Sequence, residues 1–156
     1  MTAIRQFALA IAFGFVALFA SSGAFAQGAP LFAVLNGGNE CNGASPPLCR
    51  QGDLDAFGSA TIILVSPNVV CFGIVVDNLA GATAAHIHSG VSEVNGGIVV
   101  PLTPPAAPAA GNPGASSGCI AVAVATIAAI RADPTRFYVN VHNGAFINGA
   151  IRGQLF

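Results

Sequence analysis

The sequence predicts an all-β fold, a Greek-key sandwich of roughly seven or eight short strands with one short helix. Three observations carry that expectation. Short apolar runs rich in Val, Ile and Ala recur from residue 31 onward, each closed by Gly, Pro, Asn or Asp. Several of them alternate with a period of two, which turns one face to a core and the other away from it. Only residues 123–132 space their apolar side chains as a helix does, so an alternating α/β order has nothing to build on.

Taken from the start, residues 1–26 read as a secretory signal: Arg5, an apolar run over 7–20, then small residues ending Ala24-Phe25-Ala26. That run is about 14 residues, short of the roughly 20 that span a bilayer, so removal after Ala26 is expected rather than a retained membrane helix. Residues 27–156 then form one domain, secreted or periplasmic, with no later segment apolar for long enough to cross a membrane.

Within that domain, residues 31–36 make a first strand ended by Gly37-Gly38, and the polar stretch 40–55 is a loop. Residues 60–65 and 69–76 pair across Ser66-Pro67-Asn68, with Val70, Phe72, Ile74 and Val76 on one face and Cys71, Gly73 and Val75 on the other. Short strands follow at 84–88 and 97–102. The run 103–118 of Pro, Ala, Gly and Ser reads as an exposed loop, since it has too little apolar bulk to bury. A strand resumes over 119–124, and Asp133-Pro134 stops the helix over 123–132. Residues 136–142 alternate as a half-buried strand, with Phe137, Val139 and Val141 against Tyr138, Asn140 and His142. Residues 150–156 close the fold, Ile151 and Leu155 pointing opposite to Arg152 and Gln154.

Charge excludes some partners. After the signal there are only Arg50, Arg131, Arg136 and Arg152 against Glu40, Asp53, Asp55, Asp77, Glu93 and Asp133, and the chain has no lysine. Nucleic acid and anionic membranes both need a dense positive patch, so neither is expected as a partner. Cys41, Cys49, Cys71 and Cys119 follow an export signal, where disulfides persist. Four cysteines allow three pairings; Cys41–Cys49 and Cys71–Cys119 are favoured, the first closing a tight loop and the second joining two strands. A zinc site built on them is the rival use, but no Cys-x-x-Cys pair is present.

Four ordered blocks carry a family resemblance: Ala84-Ala85-His86-Ile87-His88-Ser89-Gly90, Asn95-Gly96-Gly97-Ile98-Val99-Val100-Pro101-Leu102, Phe137-Tyr138-Val139-Asn140-Val141-His142 and Gly149-Ala150-Ile151-Arg152-Gly153-Gln154-Leu155. Over most of the chain from Leu31 onward, they resemble the CHRD domain, named after chordin. The resemblance implies an immunoglobulin-like barrel related to copper/zinc superoxide dismutase, here as a stand-alone bacterial, secreted member. Chordin's antagonism of bone morphogenetic proteins does not carry over, because chordin's cysteine-rich modules are missing. The long proline-rich loop and the Cys41, Cys49 pair stand outside the family pattern.

The sharpest chemical reading concerns the histidines. His86 and His88 are two apart on one strand, so both rings leave the same face with Cα atoms about 7 Å apart. His142, on the polar face of another strand, completes a three-nitrogen site for copper or zinc if the two strands are neighbours. Asn140 and Arg152 are expected to support those ligands from behind, Arg152 pairing with an acid or stacking on Tyr138 as a structural tie, as exposed arginines commonly do, rather than steering anions to a metal. The competing reading is that the histidines only bond to loops and to each other. A dismutase constellation is not expected, since no fourth ligand and no zinc loop can be found. Asp53 and Asp55 sit in a polar loop with nothing to raise a pKa. No Ser-His-Asp order, phosphate-cradling loop or nucleophile elbow is present.

Two functions follow. The first is a non-enzymatic binding or structural module of the cell envelope or extracellular space, its partner an unknown protein, glycan or metal. The second is a copper- or zinc-binding protein that uses His86, His88 and His142 without true dismutase activity.

Overall fold

The computed structural model of the protein describes residues 28–41, 48–106 and 113–156. The expected signal over 1–26, the tip of the Cys41–Cys49 loop and the middle of the proline-rich run lie outside them. The chain runs through β1 (Leu31–Asn36), β2 (Phe57–Val65), β3 (Val69–Asp77), β4 (Ala82–Ser89), β5 (Ile98–Leu102), β6 (Gly114–Ala121), α1 (Val124–Ala132), β7 (Phe137–Asn143) and β8 (Ile151–Gln154). All the strand pairings are antiparallel, in one sheet of order β5-β4-β7-β8-β1-β2-β3-β6. The segment just after β5 reaches across to β6 at the other end of the sheet: Ala106 N–H donates to Ala115 O at 3.0 Å, and Ser116 Oγ donates to Thr103 O at 2.8 Å. The all-β expectation with one short helix holds.

Alternation decides which side chains enter the core. Val70, Phe72, Ile74 and Val76 of β3 face inward with Ala60, Ile62 and Leu64 of β2, Ile87 of β4, and Val139 and Val141 of β7. Each fully buried Val, Leu or Ile contributes about 1.5–3 kcal/mol relative to an exposed one. The helix α1 adds Ile127 and Ile130 to this core and has no side-chain cap at Ala123, so tertiary packing holds it. It stops at Asp133 because Pro134 follows. Among the described residues, no helix is long and apolar enough to cross a membrane.

Both favoured disulfides form, Cys41–Cys49 and Cys71–Cys119. The second joins residues directly opposite one another in β3 and β6, on the face turned away from the core, as the alternation of β3 requires.

Several expectations need correction. The exposed loop expected over 103–118 is partly strand: Gly114 to Gly118 belong to β6, because the open edge of β3 offers hydrogen bonds that small side chains can reach as well as bulky ones. The strand expected over 119–124 ends at Ala121, and Val124 already belongs to α1. Strand β7 is not half-buried: Tyr138 and Asn140 are buried on its second face, beneath loops that alternation cannot reveal. Arg152, expected to be exposed, is only 2% accessible, and Glu40, read as part of a polar loop, is equally buried.

The two bridges differ in the chain they close, with sequence separations of 48 for Cys71–Cys119 and 8 for Cys41–Cys49. On loop-closure entropy alone, removing the longer costs about 4 kcal/mol and the shorter about 2.5 kcal/mol. The Cys71→Ala/Cys119→Ala pair is therefore expected to lower the denaturant midpoint more than Cys41→Ala/Cys49→Ala; the reverse order would show that the short loop anchors native structure beyond its closure entropy.

Candidate metal centre

Strands β4, β7 and β8 lie side by side, and their even-numbered residues share the face turned away from the core. Across this face His86 stands opposite Asn140 and Asn140 opposite Arg152, while His88 stands opposite Tyr138 and Tyr138 opposite Gln154. His142 follows Asn140 on the same side of β7, diagonal to His86. A register shift in β5 at the Ile87/His88 step bends the edge strand next to His88.

The geometry brings His86, His88 and His142 together. One ring nitrogen from each lies within 4.8 Å of the other two. His86 Nδ1 and His142 Nε2 are 3.3 Å apart. Two nitrogens each about 2.0 Å from one tetrahedral zinc ion are themselves about 3.3 Å apart, so this pair already stands at ligand spacing.

Backbone carbonyls fix two of the rings. His88 Nδ1 is 3.0 Å from Gly96 O, and His142 Nδ1 is 3.0 Å from Ile147 O. A carbonyl oxygen only accepts, so each Nδ1 carries the hydrogen and each Nε2 keeps its lone pair. His88 Nε2 is buried and has no hydrogen-bond partner among the described residues. Leaving such an acceptor unmade costs on the order of 1–3 kcal/mol. Burial pushes all three imidazole pKa values down; neighbouring imidazoles add to this at His86, while the Gly96 and Ile147 carbonyls oppose it at His88 and His142. The rings are neutral at neutral pH, which is the form that binds a metal.

Arg152 and Asn140 stand behind this cluster rather than in it. Arg152 lies over the Tyr138 ring at 3.4 Å, and Tyr138 stacks on His88 with centroids 4.9 Å apart and planes within 6°. The guanidinium donates to Asn95 Oδ1 at 3.1 Å, to Val91 O at 2.9 Å and to Val94 O at 3.0 Å. Of the two readings of Arg152 as a tie, the stack on Tyr138 is present, while Glu40 acts on the guanidinium only through its field. Asn140 donates to Glu40 Oε2 at 3.4 Å and to none of the imidazoles.

Sequence reasoning missed Glu40, Asn95, Gly96 and Ile147. Two of these act through backbone carbonyls, which no side-chain pattern reports. Glu40 carries one faint signal, its place beside Cys41. Its carboxylate lies against Gly149, where an added Cβ would come within 2.5 Å of Oε2 and φ is +136°. Burial raises its pKa from 4.5 to about 7, against the pull of Arg152 and Asn140. Asp53, expected to be unperturbed, is raised by partial burial and by the adjoining Asp55, while Asp55 is lowered by its bond with Asp53.

A family model described as the CHRD domain matches residues 31–155. No curated protein and no solved structure matches the chain.

Between pH 4.5 and about 7 the folded protein holds more protons at Glu40 than the unfolded chain does, so the Glu40 contribution to stability falls as pH rises through that window. The imidazoles act oppositely, their share being lost as pH drops below 6.5. Subtracting one protein's curve from the other's isolates Glu40. Relative to the wild type, Glu40→Gln is expected to gain up to about 3 kcal/mol as pH rises across the window, read from urea melts at each pH. A flat difference would mean that the carboxyl ionises as it does in water.

Proposed function

The chain belongs to the CHRD domain family, and we propose that it is an exported, non-enzymatic module that binds one copper or zinc ion through His86, His88 and His142. The observation that carries the metal is the buried, unpartnered Nε2 of His88. A ring whose Nδ1 hydrogen is already committed to a carbonyl, and whose lone pair meets no donor among the described residues, is arranged as a metal-bound histidine is. His142 shares only the first half of this arrangement: its Nδ1 hydrogen is committed to Ile147 O, while its Nε2 faces His86 Nδ1 at 3.3 Å. Three imidazoles without a thiolate or carboxylate suit copper(II) or zinc over calcium and magnesium, which take oxygen ligands. Three protein ligands leave a tetrahedral ion one further position. If the histidines only satisfied loops and each other, His88 Nε2 would have a donor.

Export rests on the N-terminal segment and on the disulfides. Two bridges consume all four cysteines, as an oxidising compartment allows. Intact mass of the protein recovered from the periplasm or medium of a bacterial host is expected to match a chain starting at Gln27; a full-length mass would overturn cleavage after Ala26.

Zinc or copper(II) titrated into the purified protein is expected to raise its melting temperature by linkage, and a chelator to reverse the gain. At an ion concentration 100 times the Kd the shift corresponds to about 2.7 kcal/mol. His86→Ala and His88→Ala are each expected to abolish it. No shift with either metal would remove the proposal and leave an export module whose ligand is something else.

A further inference from the structure

His88 owes its tautomer to Gly96 O, so what holds Gly96 in place governs the ring. The segment 91–96 contains no regular strand or helix and its side chains are mostly exposed, which gives it little packing of its own. Four residues anchor it from below. Arg152 takes Val91 O, Val94 O and Asn95 Oδ1 at 2.9–3.1 Å. The Tyr138 hydroxyl accepts from Gly96 N–H at 3.3 Å. Gly90 N–H donates to Arg136 O at 2.7 Å at the entry to the segment. Asn95 Nδ2 donates to Cys41 O at 2.9 Å, tying the segment to the disulfide-closed loop.

Asn95 has both ends of its amide engaged. Its oxygen takes Arg152 and its nitrogen takes Cys41 O, and the next residue supplies the carbonyl on His88. The backbone at Gly96 admits no side chain, since an added Cβ would fall 1.3 Å from Ser89 O. Gly96 has no side chain through which to be held, so its placement rests on Asn95 before it, on its own N–H bond to Tyr138 and on the Ser89 N–H bond to Gly97 O after it. We propose that Asn95 is a positioning residue for the imidazole site: by bridging Arg152 and the Cys41 backbone it holds Gly96 O where His88 keeps its hydrogen on Nδ1 and its lone pair on Nε2. The inference rests on the metal-binding reading for its consequence, though not for its geometry.

The test uses the full exported chain with both disulfides intact. The tautomer of His88 is read in metal-free protein from imidazole nitrogen chemical shifts above pH 7, and zinc affinity is read separately by competition with a chelating dye. Asn95→Ala is expected to mix the two His88 tautomers and to weaken zinc binding about 10-fold or more, the scale on which partners behind metal ligands act. Asn95→Asp, which keeps an acceptor for Arg152, is expected to recover part of both. Ile127→Val, a core change away from the imidazoles, serves as the control for mere destabilisation; it is expected to lower the melting temperature and move neither reading.

An unchanged His88 tautomer in Asn95→Ala overturns the inference, even if zinc binds the wild type tightly. A changed tautomer in a protein that binds no zinc upholds the positioning role and overturns the metal-binding reading instead. Should Asn95→Ala fail to fold, Asn95→Ser, polar but too short to bridge both partners, gives the same reading.

Discussion

A buried guanidinium organises the polar half of this molecule. Arg152 is 2% exposed, and a cation taken so far out of water costs several kcal/mol unless its donors are met. Here three carbonyl-type oxygens, the Tyr138 ring and the Glu40 carboxyl share that task. The five come from three separate stretches of chain, so satisfying one side chain of β8 brings the 91–96 segment, β7 and the start of the disulfide loop onto one face. Burial still lowers the Arg152 pKa, with Tyr138 and Glu40 pulling it back, but an arginine titrates so high that it stays charged.

Glu40 shows how close the balance is. Were Arg152 a full counter-charge, the carboxyl would titrate below its ordinary range; instead it rises to about 7, because desolvation outweighs the attraction. The pair is thus not a strong ion bridge but a charge next to a carboxyl that is part-protonated near neutrality. Glu40 Oε1 and Asn140 Oδ1 are buried without partners among the described residues, and a proton on Glu40 reduces the acceptor excess between them. Gly149 belongs to the same constraint: the carboxyl occupies the space a Cβ would need, so the turn before β8 and the placement of Glu40 are one requirement.

Legibility followed the period of the side chains. Strands β1, β3 and β7 could be read closely because their apolar residues alternate or cluster between turn residues, and the inward set of β3 was readable residue by residue. That Cys71 leaves the outer face of β3 was readable for the same reason; its pairing with Cys119 was favoured as a link between two strands, which the pairing of β3 with β6 bears out. Strand β6 was not, since Gly, Ala and Ser carry no periodic signal and their pairing is dictated by the open edge of β3. At the site, the meeting of His86 with His88 follows from spacing alone. That His142 joins them depends on β4 and β7 being neighbours, a fact of topology that alternation cannot supply. The burial of Arg152 and Glu40 was illegible for a further reason: it comes from loops folding back over a face that its own strand pattern marks as polar.

The division of labour between the two faces explains how such a cluster keeps its shape. Along β4 the side chains alternate Ala85, His86, Ile87, His88, and along β7 they alternate Val139, Asn140, Val141, His142. Ile87, Val139 and Val141 have no exposed surface, so the backbone that carries the imidazoles is fixed by packing on its opposite side. Ring position is therefore inherited from the core, while ring orientation is set locally by Gly96 O and Ile147 O. The two controls are separable because they act on different atoms. Loosening a carbonyl turns a ring without disturbing the core, whereas trimming Ile87 or Val141 shifts the strand and moves His86, His88 or His142 with it. A polar cluster on a sheet face can thus be held at ligand spacing by apolar residues that never touch it.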